Sequence, residues 1–161
     1  TLLRIVSFTD DMRQRRFEPG TKVLSTGLVA ATKEIAKKLA IEPGEELARI
    51  KRLRLADGEP MSVEESFLIH HWCPGVLKHD YASNPLREVL EQRYDVYWSH
   101  ASQTIRAISN TGDLTELLSM PAGEALLYIE RVSYSQQDIP IEFLRIYYRG
   151  DRYVLYNELS A

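Results

Sequence analysis

The chain writes one unit twice. The stretch "EPGEELARIKRLRLADGEPMSVEE" at 42–65 returns 79 residues later as "PAGEALLYIERVSYSQQDIPIEF" at 121–143, and Gly44, Glu45, Leu47, Ile50 and Arg52 reappear as Gly123, Glu124, Leu126, Ile129 and Arg131. Aligned from about Gly27 against Arg106, each half reads strand, short helix, Gly-Glu turn, then a two-stranded hairpin. Hairpins join antiparallel neighbours, whereas parallel ones need longer crossovers. The pattern therefore predicts an α+β (α/β) fold with an antiparallel six- to seven-stranded sheet, helices at the connections and one covered side. Two copies of one unit commonly pack about a pseudo-twofold axis, which places a crevice near where the halves meet.

Local signals fill in the elements. Ser7 or Thr9 can cap a short helix with Asp10 and Asp11 in its first turn, and Pro19-Gly20 would end it. "KVLSTGLVAA" is the first extended run, and Thr32 caps "KEIAKKLAI", with Ile35, Leu39 and Ile41 near one face. "ADGEP" turns one strand into the next. "HHWCPGVLKHDYASNP" reads as loop, "LREVLEQRY" as a helix burying Leu86, Val89 and Leu90, and "DVYWSHASQTIRAISN" as extended. Gly150 and Asp151 mark a turn into a last extended segment, "RYVLYNELS".

Composition bounds the class. With 161 residues, 44% of them hydrophobic, the chain can bury a single substantial core. No run approaches the roughly 20 apolar residues of a membrane span, and no secretory pattern is present, so a cytoplasmic domain without membrane contact is expected. Cys73, the only cysteine, has no partner for an internal disulfide and reads as a small core or loop residue. Lys and Arg number 20 against 23 Asp and Glu, and the cations are interleaved with acids, so direct nucleic-acid binding by this segment is not expected. "RQRR" at 13–16 is bracketed by acids and reads as one solvated helix face.

The candidate site rests on Arg52 and Arg54. Two apart on a strand, they leave the same face together with Ile50. Paired guanidiniums repel unless an anion lies between them, and their fork suits phosphate or carboxylate. The alternative is an exposed face or internal salt bridges. The second copy keeps Arg131 but has Ser133 where Arg54 stands, which points to one site and not two. Glu64 and Ser62 project together from the partner strand, and Glu142 is the counterpart of Ser62 after a one-residue insertion. These acids could bond hydroxyl or amide hydrogens, or simply neutralise the arginines. Ser7-Phe8-Thr9 offers N–H groups and a hydroxyl, either to an anion or as a plain helix cap. His70, His71, His79 and His100 lack metal spacing, and no nucleophile elbow, phosphate loop or dinucleotide fingerprint occurs, so neither metal nor cofactor is expected.

"SFTDDMRQRRFEPGTKV", "RIKRLRLADGEPMSVEESFL" and "YYRGDRYVL", in this order and combined with the repeat, resemble the UTRA domain, the effector-sensing module of HutC-subfamily GntR-type transcription regulators. The resemblance covers essentially the whole chain. It implies a chorismate-lyase-like fold, a homodimer, and DNA contact only through an N-terminal winged helix absent from this chain. It also implies a small anionic metabolite effector, often a phosphosugar. By the same resemblance, Phe8 and Thr9 would hold the phosphate, Arg52 and Arg54 would neutralise it, and Glu64, Glu142 and Tyr148 would surround the sugar. Phosphosugar sensors often place a serine at the start of the middle helix; here the chain reads Ser83-Asn84-Pro85, so Ser83 or Asn84 would serve. The family's frequent Ser-Arg is Ser99-His100 here, after the bulky Tyr97 and Trp98. The fold also resembles chorismate pyruvate-lyase, which keeps an enzyme acting on a small carboxylate as the alternative.

Overall fold

In the computed structural model, which describes residues 5–161, six strands form one antiparallel sheet: β1 (Pro19–Ala30), β2 (Glu46–Ala56), β3 (Glu59–Ile69), β4 (Trp98–Ser109), β5 (Ala125–Ser135) and β6 (Pro140–Arg149). Their spatial order is β1-β2-β3-β6-β5-β4. Each half thus contributes a block of three strands, and the blocks join along β3 and β6. Glu65 faces Arg145 across that seam. These two are repeat counterparts once the inserted residue is counted, so the pseudo-twofold axis passes through the pair.

The backbone repeats over a longer stretch than the side chains do. Left-handed residues recur 79 positions apart as Arg16 and Asp95, Ala40 and Ser119, and Gly44 and Gly123. The Ala31 N–H donates to Glu45 and the Gly44 N–H to Ala31, and the same two bonds return from Asn110 to Glu124 and from Gly123 to Asn110. The unit therefore extends back to the preceding helices. Helix α1 (Phe8–Gln14) leads into β1 as α3 (Leu86–Tyr94) leads into β4, and α2 (Lys33–Leu39) corresponds to α4 (Leu114–Leu117).

Helices cover both faces of the sheet, not one as the sequence suggested. On one face α2 and α4 pack over Leu47, Leu53, Val63 and Phe143. On the other, α1 and α3 pack over Ile50, Leu68, Ile129 and Ile146. The physical reason shows in β3, which is buried along nearly its whole length instead of at alternate positions. Ser7 is the cap of α1, its side chain accepting from the Asp10 N–H at 3.1 Å, and Thr32 caps α2. Helix α1 ends at Gln14, before the expected Pro19-Gly20. Arg16, at φ 65°, turns the chain instead, and Pro19 opens β1, an edge strand where its missing N–H is tolerated. Asp57 and Gly58 both have positive φ, as a type I′ hairpin turn requires.

No strand follows β6, so the last extended segment expected from the sequence is not a seventh strand. Its would-be hairpin partner β6 is already bonded on both sides, by β3 and β5, and offers no free edge. The chain turns at Gly150 instead, where the Arg149 guanidinium grips Asp151 at 2.7 Å. A Cβ at Gly150 would stand 2.5 Å from the Ala125 carbonyl oxygen. Gly150→Ala is therefore expected to cost roughly 1–3 kcal/mol through overpacking, read as a lower urea midpoint at unchanged slope.

Candidate functional site

The face covered by α1 and α3 is not filled. A cavity of about 1000 Å³ opens there, floored by β2, β3, β5 and β6 and walled by α1 along its length and by the N-terminal end of α3. Strand alternation on β2 aims Arg52 and Arg54 into it while Leu53 goes to the opposite core. The nine residues to which the resemblance points line this one space: Phe8 and Thr9 on the α1 side, Ser83 and Asn84 ahead of α3, Arg52, Arg54, Glu64, Glu142 and Tyr148 on the sheet; Ser62, expected beside Glu64, is buried outside the lining.

The arginines converge on one carboxylate. Glu64 Oε2 lies 3.3 Å from Arg52 Nη2 and 3.1 Å from Arg54 Nη2. Arg54 also donates to Thr21 Oγ1 at 2.9 Å, and its guanidinium sits 5.2 Å above the Phe8 ring. Arg52 is 3% exposed and Glu64 4%, so a three-charge cluster with one excess positive charge is held largely out of water. Among the described residues, the Nε–H groups of both arginines have no partner. Ahead of α3, Asp80 organises the other wall: Ser83 Oγ donates to its carboxylate and Asn84 Nδ2 to its carbonyl, each at 2.9 Å.

Several lining residues were missed from the sequence. Arg131 enters the same cavity, bonded through Nε to Gln103 at 3.0 Å and, among the described residues, to no carboxylate. Its repeat relation to Arg52 was the available signal. Arg15, Tyr153 and the segment through Asn157 also line the opening. Tyr153 stacks on Tyr148 with centroids 3.8 Å apart and donates to Asp11, while Arg15 donates to the Val154 carbonyl at 2.8 Å. This clamp ties the C-terminal segment to α1, and nothing local in the sequence announces it. Trp98 lines the far wall, beneath Arg87. Among the described residues, five arginines face three carboxylates, a balance that favours an anionic guest.

The two floor carboxylates differ in proton affinity. Burial alone would raise that of Glu64, but Arg54 and then Arg52 outweigh it and hold its pKa below the usual range. Glu142 has no ion pair among the described residues; burial pushes its pKa up to about 7, against the pull of Arg52 and with the repulsion of Glu64. Arg52 is lowered to about 10 by burial and by Arg54, and stays charged at neutral pH. Burial also carries Tyr148 well upward. Between its ordinary 4.5 and about 7, folded Glu142 keeps a proton that the unfolded chain has lost. Its contribution to stability therefore falls as pH rises through that window and is level above it. Compared with Glu142→Gln, the wild type is expected to lose roughly 2–3 kcal/mol between about pH 4.5 and 7.5, measured as the difference between two urea-stability profiles.

The profile of the UTRA domain matches residues 14–154. The HTH-type transcriptional repressor NagR of Bacillus subtilis strain 168 is 29% identical over 149 residues, which is 92% of this chain and 61% of the repressor. The chain thus spans about three-fifths of the length of that curated relative. Among solved structures, the effector domain of PhnF from Mycobacterium smegmatis superposes with a TM-score of 0.91 at 23% identity, covering 99% of this chain and 98% of that one. A GntR-family transcriptional regulator from Enterococcus faecalis V583 matches with a TM-score of 0.77 at 25% identity, over 86% of this chain and 99% of that one. The chain belongs to the UTRA domain family.

Proposed function

We propose that the cavity receives a small anionic metabolite of the phosphosugar class, and that this chain is the effector-sensing and dimerisation part of a bacterial transcription regulator. The observation that carries the reading is the convergence of Arg52 and Arg54 on a single carboxylate inside a cavity of about 1000 Å³. One acid cannot neutralise two guanidiniums in a water-poor space, and a phosphate completes the balance. In this reading Phe8 and Thr9 present an N–H and a hydroxyl to the anion, Ser83 or Asn84 approaches it from the α3 side, and Glu64, Glu142 and Tyr148 border the sugar. The effector acts by favouring one of two arrangements of a homodimer. DNA contact belongs to a winged helix outside this chain, and the site is cytoplasmic. The regulator name of the NagR relative favours this reading over a lyase.

A thermal-shift panel of sugar phosphates beside their neutral parent sugars tests the class. A matching anion at about a hundred times its Kd adds about 2.7 kcal/mol, or a rise of roughly 5–11 °C in Tm, while the neutral sugars leave it unchanged. No shift with any anionic metabolite would overturn the reading. Release of 4-hydroxybenzoate from added chorismate would instead establish the enzyme.

A further inference from the structure

We infer that Glu142 takes up a proton when an anion enters the cavity, so that the effector binds together with a proton and must offer Glu142 an oxygen acceptor. The inference rests on the anion reading of the same cavity and adds to it a rule for the other end of the ligand. Its basis is the unequal treatment of two carboxylates on one floor. Glu64 is clasped by both arginines of β2. Glu142 is 1% exposed and, among the described residues, makes no ion pair and leaves its Oε1 without a hydrogen-bond partner, yet it lines the cavity. A buried carboxylate in that condition is costly to keep charged.

The groups around Glu142 do little to change this. From β2 comes Arg52, whose charge is already shared with Glu64; from β3 come Glu64, a like charge, and Ser66, whose hydroxyl favours the carboxylate but less than Arg52 does. From β5 come Arg131, acting at range, and Ser133, opposite Glu142 in register. From the connection ahead of α3, Cys73 faces Glu142 electrostatically and Tyr81 faces Arg52, and burial pushes the Cys73 thiol up to about 12, so it stays protonated. Arg52 is therefore the leading influence that keeps Glu142 from being fully protonated at neutral pH.

An anion seated on Arg52 and Arg54 removes that influence and adds a second like charge beside Glu64. Both changes disfavour the Glu142 carboxylate. A proton from solvent then forms an O–H bond on Glu142, and the neutral acid donates to a ligand oxygen. Carbonyl, hydroxyl or phosphoryl oxygen satisfies it; an ammonium group at that point does not. The consequence is a response graded by pH across the neutral range.

Sulfate is the probe, because its charge is constant over this range. Titration calorimetry at about pH 7.5 in two buffers of different ionisation enthalpy is expected to show about half a proton or more taken up per sulfate. The wild-type Kd should weaken roughly tenfold from about pH 6 to 8.5. Glu142→Gln should bind with no uptake and little pH dependence. Arginine-dependent sulfate binding without proton uptake, or a slope retained in Glu142→Gln, overturns this inference and leaves the anion site standing. Sulfate binding that survives in Arg52→Ala/Arg54→Ala overturns the site itself. Should Glu142→Gln fail to fold, the wild-type glutamate carboxyl carbons followed by NMR read the same quantity. One resonance titrating near neutrality must move up by about one unit or more with sulfate, and an unmoved midpoint sinks the inference.

Discussion

Glu64→Ala is expected to cost roughly 3–5 kcal/mol of folding stability, the penalty for removing one member of a buried ion cluster. The remaining members make the case severe. Arg52 and Arg54 both point to Glu64 Oε2 from 3.3 and 3.1 Å, and without it they face each other in a space where Arg52 is 3% exposed. Repulsion by Arg54 is already the second cause of the lowered Arg52 pKa, after burial. Because the cluster opens onto a cavity, solvent anions can partly replace the lost carboxylate. Sulfate should therefore restore more stability to Glu64→Ala than it adds to the wild type, read as paired urea midpoints with and without the salt. Acid should imitate the variant. The pKa of Glu64 is depressed in the folded state, so its stabilisation is complete above its unfolded value near 4.5 and is lost as pH falls through the lower folded value. Equal sulfate responses in the two proteins would remove the cluster from the account of this site.

The sequence made the sheet and the floor of the cavity legible because both depend on strand alternation and on turns, which are local. Arg52, Arg54 and Glu64 could be placed on one face from spacing alone, and the hairpin at Asp57-Gly58 fixes their register across β2 and β3. The walls depend on what packs above the sheet. Helices α1 and α3 are repeat counterparts by backbone geometry, but "FTDDMRQ" and "LREVLEQRY" share no motif, so only the coordinates pair them. The segment from Tyr153 to Asn157 reads by sequence as part of a last extended run. It lines the cavity instead because β6 already has two neighbours. That is a property of topology, and no window of residues contains it. Arg131 was legible in principle as the counterpart of Arg52; reading the loss of Arg54 in the second half as the loss of a site hid it.

The repeat also supplies the sharpest separation of binding from stability. Arg54→Ser gives the first half the residue that the second half carries at Ser133. It removes the guanidinium that repels Arg52, together with its 3.1 Å ion pair to Glu64, one bond to Thr21 and a contact over Phe8. Glu64 keeps Arg52 as its partner. Relief and loss nearly offset, and stability is expected to change by about 1 kcal/mol or less. Anion affinity is expected to fall roughly ten- to a hundredfold, since a charge-assisted bond to a ligand is worth about 1.5–3 kcal/mol. Calorimetry with sulfate and with the tightest sugar phosphate of the panel measures the affinity, and urea unfolding of the unliganded variant measures the stability. A variant that unfolds easily would make Arg54 a structural residue, and one that binds as tightly as the wild type would move the anion elsewhere on the floor. The outcome expected from the geometry is a stable protein with a weakened grip, because Glu64 can be satisfied by one arginine and a doubly charged phosphate cannot.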